Sequence, residues 1–393
     1  MQKVDVVIIG AGASGLMCAI EAGKRGRDIL VVDHANKAGK KILMSGGGRC
    51  NFTNYSVEAD NFISQNVHFC KSALSRFTQW DFLAMIDQYQ IPFHERSHGQ
   101  LFCNDSAKDI LNMLLAECEK VGVKIQLNCD IKKTTKISEQ VFQLDTNKET
   151  IQCQSLVVAT GGLSIPKMGA TAFGYQIAEQ FNISVLPVCA GLVPFTLQPD
   201  DKEKYSALSG IAVPCVVSNQ KQSFKENMLF THRGLSGPAI LQISSYWKAG
   251  ETINVNFLAE LDLAEILLEK RSNKVKMQLK TILSELLPKR LLEVLIDQKL
   301  LAISLQDISN KQLDEVVQNI ICWTIKPNGT EGYRTAEVTL GGVDCSEVSS
   351  KTMQSQAVNG LYFVGEVLDV TGWLGGYNFQ WAWASGWCAG QYV

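Results

Sequence analysis

The sequence has no C-x-x-C pair and no grouping of cysteine with histidine at metal-ligand spacing, although it carries 12 cysteines. A cysteine-held metal centre and a paired-thiol reductase motif are thereby excluded, and a chain of 393 residues is too large to need disulfide staples. Surplus charge is missing as well. Lys+Arg number 37 against 39 Asp+Glu, a formal net charge of -2, so the basic field that nucleic-acid binding relies on is lacking. Apolar runs fall short of the roughly 20 unbroken residues of a membrane helix, because "VVIIGAGASGLMCAI" and "GWLGGYNFQWAWASGWCAG" are both interrupted by glycine. No basic flank and cleavage site precede the first strand, so no leader is expected. These absences predict a cytoplasmic protein with a small-molecule substrate, no metal, no membrane and no nucleic-acid partner. They leave the oligomeric state open.

What is present begins at the N-terminus. Val4–Ile9 reads as a strand, Leu16–Lys24 has helical spacing, and Asp28–Asp33 is apolar again, which makes a βαβ unit. Its turn is Gly10-x-Gly12-x-x-Gly15 around Ala13 and Ser14. The first glycine permits the tight turn, the second lets backbone approach a pyrophosphate, and the third lets helix and strand pack closely. The helix N-terminus offers free N–H groups to phosphate. Asp33, at the end of the second strand, is placed to accept from ribose hydroxyls, with His34 bordering the adenosine end. A dinucleotide is the predicted ligand.

Directly after this unit stands "KAGKKILMSGGGRCNFTN". Lys41 and Ser45 precede three consecutive glycines, Gly46, Gly47 and Gly48, whose N–H groups suit a pyrophosphate or the edge of a flavin ring. Arg49 can pair with phosphate or with an anionic substrate. Cys50 beside it is a minor candidate for a thiol of lowered pKa.

Two later strand ends face the same ligand in an open parallel sheet. One is Ala159-Thr160-Gly161; the other is "GLYFVGE", ending at Gly365 and Glu366. Beyond the second, Asp369 is expected near the ribityl chain or phosphates. The N-terminus of the last helix, Gly376, Tyr377, Asn378 and Phe379, is expected at the flavin pyrimidine edge, where it would stabilise negative charge on the reduced ring. Ile131 completes the predicted cofactor contacts. Trp381, Trp383 and Trp387 read as core aromatics. A second G-x-G-x-x-G is absent, so NAD(P)H is expected only as a transient reductant.

The middle of the chain differs in character. Short β-type runs at residues 191–261 and 320–340 predict a β-rich, barrel-like domain, and leucines at three- and four-residue spacing over 262–319 predict a helical insert. Residues 1–190 and 341–393 then form the dinucleotide domain. Within the β-rich part, "FTHRGLSGP" offers His232 as a proton donor and Arg233 as an anchor for an anionic or carbonyl substrate. Arg49, His232 and Arg233 are the candidate catalytic residues.

The chain resembles the FAD-binding superfamily that includes glutathione reductase and the fumarate reductase flavoprotein subunits, through the Gly10–Gly15 turn, the Ala159–Gly161 strand end and "GLYFVGEVLD". More closely it resembles a bacterial family of predicted NAD(P)/FAD-dependent oxidoreductases, through "SGGGRCNFTN", "FTHRGLSGP" and "GWLGGYNFQWAWASG". The resemblance implies an α/β fold in which a Rossmann-like FAD domain, built from both chain ends, is interrupted by a β-barrel-like domain with a helical insert. It also implies non-covalent FAD and hydride exchange at flavin N5. NAD(P)H-driven reduction of an activated C=C bond is the first expected reaction and amine oxidation by O2 the second. A flavoprotein acting on RNA, or a redox sensor without turnover, is the alternative from another class.

Overall fold

The computed structural model describes Met1–Val393, and the chain divides into two compact units. The first comprises Met1–Cys189 and Val338–Val393; the second is Ala190–Glu337.

The first unit is built on β1 (Val6–Ile9), α1 (Ala13–Lys24), β2 (Ile29–Val32), β3 (Lys124–Gln126), β4 (Ser155–Val158), β5 (Leu361–Phe363) and α2 (Tyr377–Gly390). Its five-stranded sheet has the order β5-β4-β1-β2-β3, every pair parallel. All residues of β1, β2, β4 and β5 are buried. Unbroken apolar runs are what a parallel sheet covered on both faces requires. Because Val158 pairs with both Ile9 and Phe363, and Ile9 with Val32, four strands end at one level. Gly10, Asp33, Ala159 and Gly365 therefore emerge along a single edge, the place where open α/β sheets bind ligands.

Helix α2 covers α1 at close range. A Cβ on Gly386 would stand 2.4 Å from the Ser14 carbonyl oxygen, and one on Gly390 would stand 2.6 Å from Glu21 Cβ. On its other side Trp381 and Trp383 are buried, and the Trp383 ring stacks on Phe82 with centroids 4.5 Å apart. Trp387 is half-buried and stacks on Phe77.

The second unit carries a seven-stranded antiparallel sheet, from Trp323–Ile325 at one edge through Ile253–Asn256, Ala212–Ser218, Ser223–Phe230, Gly234–Ser236 and Phe195–Thr196 to Gly329–Thr330 at the other. Between the strands at 253–256 and 323–325 lie five α-helices, from Leu263–Ser272 to Asn310–Ile321. No helix of the chain is long and apolar enough to cross a membrane.

Candidate functional site

The turn after β1 is shaped by what its glycines meet. A Cβ on Gly10 would lie 2.3 Å from the Ala159 carbonyl oxygen, whereas one on Gly12 would find nothing within 4 Å. Crowding at the first position and open space at the second are what a pyrophosphate cradle needs. Gly12 caps α1 without any side-chain hydrogen bond, and no acid stands in the first turn. That end is left to an external anion. Ser14 is buried and its hydroxyl reaches the Val364 carbonyl at 3.5 Å; Ala13 is half-buried beside it.

Asp33 fixes the turn from the next strand end. Its Oδ2 accepts from Ala11 N at 2.8 Å and its Oδ1 from Ala35 N at 2.8 Å. Each carboxylate oxygen keeps a second lone pair for a ribose hydroxyl. The exposed His34 ring faces Gly169, where an added Cβ would approach Nε2 to 2.9 Å. Cys129 N donates to the Asp33 carbonyl, so the segment leading to Ile131 runs past this end.

The glycine run behaves as a left-handed turn. Gly46, Gly47 and Gly48 have φ of 57°, 67° and 88°; Arg49 returns to -111°, and Cys50 stands at 45°. Side chains disfavour this region, which is why three glycines stand together. Gly47 and Gly48 have nothing within 4 Å of an added Cβ, so the turn presents bare backbone. Ser45 does not face that space, because its hydroxyl donates to the Ile42 carbonyl at 2.8 Å. Arg49 is exposed and its guanidinium has no hydrogen bond or ion pair. Cys50 is fully buried, and desolvation raises its thiol pKa well above the ordinary range, so the reactive-thiol reading is corrected.

The strand Asn51–Asn54 brings this turn to the far end of the chain. Thr53 Oγ1 donates to Gln380 Oε1 at 2.7 Å, Asn54 Nδ2 to the Gly375 carbonyl at 3.0 Å, and Trp383 Nε1 to the Phe52 carbonyl at 2.8 Å. A Cβ on Gly376 would stand 2.3 Å from the Thr53 carbonyl oxygen. "SGGGRCNFTN" and "GWLGGYNF" are thus one site. Like α1, helix α2 is capped by a glycine, Gly376, with no side-chain bond and no acid in the first turn.

The remaining predicted contacts are mostly engaged within the protein. Lys41 Nζ bonds Glu366 Oε2 at 2.8 Å and Ser164 Oγ at 2.7 Å, and Glu366 Oε1 accepts from Thr339 N at 3.0 Å. Gly174 packs on Thr160 Oγ1, while Gly161 is in the left-handed region with only Glu366 near it, at 3.9 Å. Asn378 closes its own turn, exchanging two 2.8 Å bonds with Gly372. Tyr377 is buried and Phe379 half-buried. Asp369 Oδ2 accepts from Gln65 N at 2.7 Å and from Ser64 Oγ at 3.4 Å. Burial raises its pKa.

In the second unit, His232 is exposed with no side-chain partner, and Arg233 Nη1 lies 3.2 Å from Glu331 Oε2. Ser164 and Thr339, both fully buried, have structural roles that no local sequence signal announces. The open backbone at Gly12, Gly47 and Gly48, the two uncapped helix ends and the anchored Asp33 together fit FAD.

A family model described as HI0933-like protein Rossmann domain matches residues 4–392. The chain is similar to a protein of Escherichia coli (strain K12) named Ribosomal RNA dihydrouridine synthase, 53% identical over 393 residues that span 100% of this chain and 98% of that one. It is also similar to the 3-dehydro-bile acid delta(4,6)-reductase of Clostridium scindens, 27% identical with 98% and 97% of the two chains covered. Among solved structures it shares its fold with 3-ketosteroid-delta4-(5alpha)-dehydrogenase from Rhodococcus jostii RHA1, at a TM-score of 0.50 and 12% identity over 99% and 97% of the chains.

Proposed function

Since the chain belongs to the HI0933-like protein family of FAD-binding oxidoreductases, we propose that it reduces a carbon–carbon double bond conjugated to a carbonyl, and that this bond is C5=C6 of a uracil in ribosomal RNA. The observation that carries the reading is the 53% identity over the whole chain to the Escherichia coli relative of that name. The Clostridium scindens relative supports the reaction class independently, because its name also describes reduction of double bonds in a molecule bearing a ketone. Reduction of the uracil bond adds a hydride to C6, β to the C4 carbonyl, and a proton to C5.

FAD, when bound, supplies the hydride from N5 of its reduced ring, and NAD(P)H from solution is the proposed source of the electron pair. The chain's own residues hold and orient these groups. Gly12 and the start of α1 would hold the pyrophosphate and Asp33 the ribose, and the start of α2 would favour negative charge at the flavin ring. Hydride addition leaves negative charge on the substrate carbonyl oxygen, and Arg49, exposed and unpaired, is the proposed donor to that oxygen. The proton for the α carbon is proposed to come from solvent water. The overall charge of -2 is no obstacle, since a balanced total permits a local basic surface.

The test is to incubate the holoprotein and NADH or NADPH with ribosomal RNA from a strain lacking the gene, then quantify dihydrouridine in the digested nucleosides by mass spectrometry. Dihydrouridine at a fixed position supports the reading. Its absence, with turnover of a 3-keto-Δ4 steroid instead, overturns the choice of substrate while keeping the reaction class.

A further inference from the structure

Side-chain amides from Asn51, Asn54 and Gln100 converge on the turn that precedes α2. A Cβ on Gly375, which has a φ of 125°, would stand 3.2 Å from Gln100 Cγ, 3.4 Å from Gln100 Cδ and 3.4 Å from Asn54 Nδ2. The bare glycine makes room for both side chains. Asn51 reaches the next residue of the turn: its amide is satisfied when the nitrogen donates to the Thr53 and Leu101 carbonyls at 3.2 and 3.1 Å and the oxygen accepts from Gly376 N at 3.1 Å. Asn54 is also spent inside the protein, since Nδ2 donates to the His98 and Gly375 carbonyls at 2.9 and 3.0 Å and Oδ1 accepts from Ser56 N at 2.9 Å. Gln100 is different. Its amide has a single contact, to the Asn51 amide at 3.4 Å, the long limit of a hydrogen bond. Being half-buried, it holds a free donor and a free acceptor side by side at this turn.

The strand Gln100–Cys103 sets which way that amide faces. Residues two apart along a strand share a face, so Gln100 and Phe102 lie on one side. Phe102 packs against the triglycine turn, where a Cβ on Gly46 would stand 2.9 Å from its ring. One strand face therefore touches both glycine turns of the site, Gly46 through Phe102 and Gly375 through Gln100.

We propose that Gln100 reads the edge of a cyclic imide, an N–H flanked by two carbonyls. Nε2 donates to one carbonyl and Oε1 accepts from the N–H, a pairing that a phosphate or a ketone cannot return because neither carries a donor beside its acceptor. Two groups proposed for this site present that edge. One is the pyrimidine ring of the flavin, at N3 and the carbonyls beside it; the other is the target uracil, a source that rests on the substrate proposed above. Contact with Gly375, at the turn where the flavin pyrimidine ring is expected, makes the flavin the first source.

The test uses the full chain with Gln100→Met, which keeps the length of the side chain and loses both hydrogen-bonding atoms. The Tm of the apoprotein is expected to hold, because the amide contributes only the 3.4 Å contact. Wild-type and variant apoproteins are each titrated with FAD and with 3-methyl-FAD, whose N3 carries no proton. Wild type is expected to prefer FAD about tenfold or more, the effect of losing two hydrogen bonds, and the variant to lose that preference. Gln100→Glu, with the same shape and no donor, is expected to behave as the Met variant does. Equal flavin binding by all three proteins, with KM for ribosomal RNA raised about tenfold in both variants and kcat unchanged, assigns the imide to the uracil. Unchanged flavin preference together with unchanged KM overturns the proposal and leaves the substrate reading intact. Should no protein form dihydrouridine, the substrate reading fails and the flavin titration alone decides: a lost preference supports Gln100 as the reader, and an intact one overturns it.

Discussion

Gly15 rests directly on Gly10: a Cβ on Gly15 would stand 2.0 Å from the Gly10 carbonyl oxygen. Gly12, between them, faces open space. The three glycines of one motif therefore answer to different constraints, two to the protein and one to the ligand. Gly12→Val is expected to leave the apo chain within about 1 kcal/mol of wild type, the scale of a changed helix cap, and to abolish FAD binding. Gly15→Val is expected to cost at least about 3 kcal/mol by overpacking. Thermal melts of apoprotein and flavin absorbance after reconstitution separate the two. Full FAD occupancy in Gly12→Val contradicts the placement of the pyrophosphate.

The ion pair between Lys41 and Glu366 joins segments 325 positions apart and, through Ser164 and Thr339, ties together two loops at the sheet edge. Both side chains are partly exposed, which screens their attraction. Lys41→Met is expected to cost about 1–2 kcal/mol, chiefly by leaving the Glu366 carboxylate under-compensated. Adding Glu366→Gln should recover part of that loss. A double-mutant cycle of urea unfolding reads the coupling, and strictly additive effects exclude it.

How far the sequence reveals such relationships depends on their range. The Gly10–Gly15 turn and Asp33 are legible because a βαβ unit fixes the spacing between a phosphate turn and the next strand end. The strand ends at Ala159 and Gly365 are legible because an unbroken apolar run stopping at glycine marks a buried parallel strand. Lys41–Glu366 is not, since nothing local links a helical lysine to an acid near the other chain end. Asn378 shows the opposite limit. A polar residue beside a glycine-rich turn looks like a ligand contact, yet the turn uses Asn378 for its own amide and carbonyl.

Asp369 gives a pH test. Burial raises its carboxyl pKa in the folded chain, so the folded state takes up a proton there at a higher pH than the unfolded state. The sign follows: its contribution to stability is fully present below the unfolded pKa and is lost as pH rises through the folded value. Asp369→Asn keeps an acceptor for Gln65 N and removes the buried charge. The variant is expected to melt above wild type at neutral pH, with the difference closing as pH falls through the carboxylate range. A variant that melts lower at every pH contradicts the desolvation account and assigns Asp369 a required negative charge.

The two candidate arginines are expected to fail in different ways. Arg233 is held by Glu331 at 3.2 Å, and Arg334 lies 3.9 Å from the same oxygen, so Glu331 keeps a cation nearby when Arg233 is lost. Arg233→Ala is therefore expected to lower stability by no more than about 1 kcal/mol, the ordinary value of a partly exposed pair. Arg49 makes no intramolecular bond with its guanidinium, so Arg49→Ala should leave Tm and FAD content as they are. If it donates to the substrate carbonyl, losing that charge-assisted bond costs roughly 1.5–3 kcal/mol, or about ten- to two-hundred-fold in kcat/KM. Arg49→Lys keeps the charge but not the planar fork, and intermediate activity is expected. Reduction of the flavin by dithionite, which needs no substrate contact, should be the same in all three proteins. Measuring Tm, flavin occupancy and NAD(P)H-dependent turnover on one preparation of each variant decides the matter. Full turnover in Arg49→Ala, with stability unchanged, removes Arg49 from the chemistry and leaves the carbonyl to be held by another donor.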